Sequence, residues 1–538
     1  MPYTERERRL LAPYFSTLEP REHADVYLVR NLPPEVAATL NGVYSRSPHS
    51  MRDNFLQRLR KGMEESGRSL DELQPEEPRR DWLADVLADK SGTFLKTYAI
   101  DHGHNSLREG SVLHLAVENV SQLVTRFIQR ERRCSFEESS TRYISFSSEG
   151  HWRDPDVAAA GGEVAAAYEE VLRTTFALYQ ESIELLVAHL ERKRPMRPDE
   201  KEGPYRRALR AEAFDTARYL LTPAIHTKWG MVADARTLGD VITELLSHPL
   251  AEFRLVGTRM QEQCQTLLPT LLRHAKPNEF LQAQHAQLPR LARQVQGLLR
   301  AAPAGGPCVR LLAHDPNLDD ALLAGLLYES SSLPAADLLR RVQELPRDAR
   351  ESLFTQALAA RGPRDPLPFG LEGAQPFDFE ILVDFGAYRD IGRHRKGVQL
   401  QQALTTEHGH LTPPLMVEAG LGDRYRACLE RAAALRERVA ARFPLAAGYV
   451  TPFAFLQRAR LIFDPRQVGY FVELRSGPEG HFAYRQIALE MHEHVRRVAP
   501  LYARFVRAHE DGVLLGRMRA EQGAEQRRLE RMRAAGDA

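Results

Sequence analysis

The stretch Arg130-Glu131-Arg132-Arg133-Cys134-Ser135-Phe136-Glu137-Glu138-Ser139-Ser140-Thr141-Arg142-Tyr143 decides how this chain is read. It follows a strand-like alternating run, Val112 to Val117, and a short apolar helix bearing Val124, Phe127 and Ile128. A weaker copy lies downstream, where Phe379–Val383 leads through Ala387-Tyr388-Arg389-Asp390-Ile391-Gly392 into Arg393-His394-Arg395. An amphipathic helix follows each motif. The first carries Val164, Tyr168, Val171, Leu172, Leu178, Leu185 and Leu186, and the second Leu421, Tyr425, Leu429, Leu435 and Val439.

The correspondence continues along both halves. Ala217-Arg218 through Pro223 matches Ala447-Gly448 through Pro452, and Asp234-Ala235-Arg236 matches Asp464-Pro465-Arg466. Leu246-Ser247-His248 matches the region from Leu474-Arg475 to His481. Such self-similarity predicts a tandem duplication, with insertions such as 191–204 shifting the register. The expected architecture is α+β: two tandem units, each a mixed sheet flanked by long helices. The small, Pro/Gly-rich run Ala301–Pro307 marks the break. The expected divisions are 1–300, 308–512 and a charged helical tail, 513–538.

Composition bounds the function classes. At 538 residues, with 43% hydrophobic and 27% charged residues, the chain is a folded protein of more than one core. A net charge of +1 creates no global field for nucleic acid or an anionic membrane, so neither partner is expected. No apolar run approaches the ~18 residues of a membrane span. The cysteines Cys134, Cys264, Cys308 and Cys428 lack metal-ligand spacing and suit a reducing compartment, so a cytoplasmic protein without a metal is expected. Gly161-Gly162 and Gly305-Gly306 lack the strand–helix context of a dinucleotide fold. His492 and His494 are spaced for different helix faces and read as solvated.

The order of these motifs resembles the flavin-dependent thymidylate synthases. Their signature is Arg-His-Arg, seven residues, then Ser, within a longer pattern. The first copy agrees with that pattern at Arg130, Arg132, Ser135, Glu138, Ser140, Arg142 and Tyr143, and departs at Glu131 (His expected) and Glu137 (Asn expected). Asp101-His102-Gly103-His104-Asn105-Ser106 looks like the family's histidine element. The second copy keeps Arg393-His394-Arg395, but has Gln401, Ala403 and Thr405 where Glu, Ser and Arg are expected, and Gly448 for the phosphate arginine. It keeps Leu474-Arg475 and His481, where the first copy has Leu245 or Leu246 in place of the arginine.

The resemblance implies FAD as cofactor, dUMP as substrate, and methylenetetrahydrofolate and NADPH as co-substrates in a reductive methylation to dTMP. It assigns Glu138, Ser140, Arg142 and Arg218 to dUMP, and His104, Ser106, Arg130, Arg132, Arg236, Arg393, His394, Arg395 and His481 to FAD. Arg475 becomes the catalytic arginine, stabilising charge that develops on the pyrimidine. The chemistry suits the residue types: arginine forks are permanently charged and bidentate toward phosphate. Composite sites are implied, with a homodimer of the double chain imitating a tetramer. Because each copy lacks groups that the other keeps, a catalytically degenerate flavin- or nucleotide-binding or scaffolding protein stays open beside the enzyme. A modified pyrimidine substrate also stays open.

Overall fold

A computed structural model describes residues 3–19, 27–44, 47–65, 91–101, 105–139, 146, 150–198, 200–296, 309–478 and 480–510. The break at Ala301–Pro307 and the tail 513–538 lie outside these residues. Chain contacts gather into two compact units. One comprises Met1–Glu118, Arg133–Glu138 and Lys228–Arg300; the other comprises Asn119–Arg132, Ser139–Thr227 and Ala301–Ala538. The second unit therefore holds both Arg-x-Arg motif turns and both long helices.

The first repeat builds strands β1 (Val112–Ser121), β2 (Ser135–Glu138) and β3 (His226–Asp234), in the order β1-β3-β2. The second builds β4 (Val309–Ala313), β5 (Phe377–Asp384), β6 (Val398–Gln401) and β7 (Leu456–Phe463), in the order β4-β5-β7-β6. Removing the edge strand β4 leaves the same topology twice. The α+β class holds, with one change of detail. Where a mixed sheet was expected, β4–β5, β5–β7, β6–β7 and β2–β3 all pair antiparallel. The reason is that β5 and β6 run the same way, as a strand–helix–strand unit suggests, but β7 lies between them in the opposite sense.

Local chemistry repeats as well. Ser121 caps the Gln122–Ile128 helix through the amides of Leu123 and Val124, and Asp384 caps Phe385–Ile391 through Ala387. Asp234 and Asp464 cap the Ala235–Leu246 and Pro465–Arg475 helices in the same manner. A polar oxygen at this position satisfies amides that no helical turn can reach. In the second unit, His151 bridges to Ile225 and His410 to Phe455. The Tyr168 hydroxyl donates to the Trp152 carbonyl and Tyr425 to that of Leu411, each at 2.9 Å.

In the second unit the two repeats share a core. Phe176, Tyr179, Ile183, Leu186 and Tyr219 pack in one cluster with Phe385, Tyr425, Leu429, Phe453 and Phe455. Backbone bonds cross between the repeats: Phe453 N–H donates to the Leu221 carbonyl at 2.8 Å and Ala224 N–H to Tyr449 at 2.9 Å. A further core, Phe377, Phe379, Ile381, Leu461, Phe463, Phe471 and Met491 among others, belongs to the second repeat alone. In the first unit, Leu10, Leu11, Phe15, Val36, Phe55 and Leu59 form an amino-terminal helical core. There the Glu35 carboxylate accepts the amides of Thr270 and Leu271. Among the described residues, no helix is long and apolar enough to cross a membrane.

Candidate functional site

The site is built on the end of the Phe385–Ile391 helix. Gly392 N–H donates to Tyr388 O and His394 N–H to Ile391 O, so the chain turns sharply into Arg393-His394-Arg395. The last carbonyls of a helix carry partial negative charge and seek donors. Two arginines supply them. Arg126, from the equivalent helix of the first repeat, gives Nη1 to the Arg389 carbonyl at 3.0 Å. Arg475, at the end of the Pro465–Arg475 helix, gives Nη2 to the Asp390 carbonyl at 2.7 Å.

Arg475 also donates its Nε to Nε2 of His394 at 2.8 Å. Thus the motif histidine and the catalytic-arginine candidate are direct neighbours. His394 is buried, with Gln467 3.4 Å from its Nδ1 and the Phe471 ring edge-on against it. Burial, and then the adjacent Arg475 cation, push its imidazole down to about 3, so it stays neutral. The Arg475 guanidinium lies 5.2 Å from the Tyr484 ring centroid and is half-exposed. Among the described residues Nη1 of Arg475 makes no hydrogen bond, and no carboxylate pairs with this cation.

Arg218 is placed differently. It is 1% exposed, and its Nη1 lies 3.7 Å from Asp215 and 3.7 Å from Asp390. Two carboxylates offset one guanidinium, so a phosphate dianion entering here would meet like charge. Beside it, Asp384 is fully buried, and burial raises its carboxyl to about 6 against the opposing pull of the Ala387 amide and Arg218. The Tyr219 phenol, raised well above its usual range by burial, stands 3.5 Å from Nε2 of His481. His481 is itself buried, and its Nδ1 accepts the Ala483 amide as the cap of the Phe482–Val498 helix.

The remaining candidates divide in two. Arg130 and Arg132 are exposed; Arg130 stacks 3.9 Å over Phe127, and Arg132 donates to the Lys396 carbonyl at 3.2 Å. Arg393 is exposed, 3.9 Å from Asp390, and Arg395 is half-buried. These side chains all lie in the unit that holds Arg475. Glu131 curls back to accept the Arg132 amide at 2.9 Å. In the other unit, Arg236 pairs with Glu109 at 2.6 Å, Ser106 is exposed on a short helix, and Glu138 ends β2 opposite Trp229. His104, Ser140 and Arg142 lie outside the described residues. Gly448, in Arg218's place, is buried against Leu123. His492 and His494 are not solvated: the first is buried 3.4 Å from the Ala503 carbonyl, and the second reaches Val309 O at 3.3 Å.

Sequence reasoning missed Asp215, Asp390, Tyr219, Asp384 and Gln467. Asp384 was legible as the cap matching Ser121, but its burial was not. Gln467 carries no signal beyond lying three residues after a capping aspartate.

The Thy1 profile, thymidylate synthase complementing protein, matches residues 57–270 and 313–501, more than half of the chain. A UPF0159 protein of Chlamydia pneumoniae is 29% identical over 537 residues, 96% of this chain and 97% of its own length. A flavin-dependent thymidylate synthase of Nitratidesulfovibrio vulgaris is 26% identical over 192 residues, 36% of this chain and 71% of its own. Among solved structures, the flavin dependent thymidylate synthase ThyX from Helicobacter pylori, complexed with FAD and dUMP, aligns over 45% of this chain and 95% of its own, at 11% identity and a TM-score of 0.27.

Proposed function

This chain belongs to the Thy1 family of thymidylate synthase complementing proteins, and from that membership we propose that it methylates dUMP reductively to dTMP, with methylenetetrahydrofolate, NADPH and FAD, at a site centred on Arg475. One observation carries the reading. Arg475 is held at two nitrogens by neutral acceptors, His394 and the Asp390 carbonyl, and among the described residues no carboxylate forms an ion pair with it at this half-exposed corner. A guanidinium held rigidly by neutral acceptors in a partly desolvated place suits the stabilisation of negative charge appearing on a pyrimidine carbonyl. Pairing with a carboxylate would cancel that use.

The donor set suits an anionic dinucleotide cofactor. Arg130, Arg132 and Arg393 present exposed guanidiniums from two motif turns in one unit, and planar forks of this kind match a pyrophosphate. When bound and reduced by NADPH, the flavin would supply the hydride. The protein's part is to hold the dinucleotide at these arginines, orient the pyrimidine against Arg475, and limit water at the corner. Ser140 and Arg142 are the proposed phosphate-side contacts.

A second reading, a binding protein without turnover, has its own support: Arg218 is closed in by Asp215 and Asp390, and Glu131 stands where the motif has imidazole. Tritium release from 5-tritiated dUMP, with FAD, NADPH and methylenetetrahydrofolate, separates the two. We expect release by the native protein and about 10²–10³-fold less by Arg475→Ala. A yellow protein that binds dUMP and releases no tritium supports the second reading, and a protein that takes up neither ligand removes both.

A further inference from the structure

The resemblance assigns His394 to the flavin, yet the side chain turns inward and its Nε2 meets Arg475 Nε at 2.8 Å. We infer that His394 is a positioning residue: a neutral imidazole, protonated at Nδ1, that accepts the Arg475 Nε–H and aims the Nη1 edge of the guanidinium outward.

Three observations carry this. First, an arginine nitrogen only donates, so the Nε2 it meets must be the unprotonated one, which fixes the tautomer. The Nδ1 proton then requires an acceptor, and the Gln467 side-chain amide is 3.4 Å away. The atom standing there is Gln467 Nε2; because two donors cannot face each other, the amide is turned so that its Oε1 accepts the Nδ1 proton.

Second, the imidazole is itself locked. Phe471 lies edge-on with ring centroids 4.8 Å apart, Tyr470 lies at 5.7 Å, and Gln399 donates to the His394 carbonyl at 2.7 Å while accepting from Tyr388. With Nε held by His394 and Nη2 by the Asp390 carbonyl, the guanidinium plane has lost its rotational freedom. Third, the chain contains its own control. Counted from the capping aspartates Asp234 and Asp464, Leu245 takes the place of Arg475, and by motif Glu131 takes that of His394. The repeat that lost the arginine also lost the imidazole.

The inference rests on Arg475 facing the ligand, and its test is chosen to stand apart from turnover. Full-length protein labelled with 15N at histidine and arginine is examined by NMR across about pH 5 to 8. The expected His394 signals are an Nδ1–H and a bare Nε2, unchanged throughout, with an Arg475 Nε–H that exchanges slowly. That arginine signal is assigned by its loss in Arg475→Lys. His394→Leu should make Arg475 Nε–H exchange at least tenfold faster. His394→Gln, whose amide oxygen can stand where Nε2 stood, should restore the slow exchange. In the tritium assay, His394→Leu should lower kcat about 10²-fold with little change in KM for dUMP, and His394→Gln should recover most of it. An Nε2–H tautomer, or unaltered Arg475 exchange in His394→Leu, overturns the inference. If His394→Leu does not fold, the native spectrum and His394→Gln still decide. If the native protein releases no tritium, the proposed reaction fails while the NMR arms still judge His394.

Discussion

The two repeats carry the same strand order, the same capping residues and the same tyrosine-to-carbonyl bonds, but they treat one position in opposite ways. In the second, the Pro465–Arg475 helix ends in a cation held by His394 and turned toward solvent. In the first, the equivalent Ala235–Leu246 helix brings Leu245 into the core of its unit, fully buried. Gly257 lies so near that a Cβ there would come within 2.8 Å of the Leu245 side chain. The first repeat has thus closed over the place where the second keeps a polar corner. Fold and function respond to different constraints: apolar periodicity and caps persist under duplication, whereas a costly polar site need persist in only one copy.

The comparison breaks most easily at Leu245. Leu245→Arg would bury an unpaired guanidinium and should cost roughly 3–5 kcal/mol, seen as a large fall in Tm, while Leu245→Met should cost less than about 1.5 kcal/mol. If Leu245→Arg is tolerated, the first repeat has kept an open corner after all. Next comes Arg475→Ala, expected to lower tritium release about 10²–10³-fold with Tm nearly unchanged. Arg130→Ala in the first motif should chiefly weaken flavin retention.

Asp384 tests the interior shared by the repeats. Its carboxyl is raised to about 6, so folding takes up a proton between roughly pH 4 and pH 6. Its contribution to stability is full below that window and is lost as pH rises through about 6. Asp384→Asn keeps an acceptor for the helix cap and removes the charge. Relative to the native protein, it should be stabilised by about 1–3 kcal/mol at pH 7.5 and gain little at pH 4, measured by urea midpoints. The smallest effect belongs to the surface pairs between the long helices, Arg424–Glu181 and Arg431–Glu170. Arg424→Ala should move Tm by a degree or less, vanishing in high salt. A large shift there would mean that the repeats are held by charge rather than by their common core.

Much of this was legible in the residues. The duplication, the strands leading into each motif and the long helices follow from periodicity and spacing, because core faces and caps are written locally; Arg475 is singled out by the family resemblance alone. What the chain could not disclose was pairing across distance. Nothing adjacent to Arg218 announces Asp390, which arrives from the other repeat, and nothing in Arg393-His394-Arg395 announces that its histidine faces Arg475. The antiparallel run of β7 between β5 and β6 is similarly a long-range choice. His492 appeared solvated because its spacing was judged against one helix alone, whereas the segment at Ala503 folds back to bury it.

The amide bonds from Phe453 to Leu221 and from Ala224 to Tyr449 have an evolutionary corollary. Once main-chain donors of one half are satisfied by acceptors of the other, two separately made halves would each carry bare backbone groups until they met. Fusion therefore fixes a one-to-one stoichiometry, so each such main-chain donor of one half always has its acceptor from the other within the same chain.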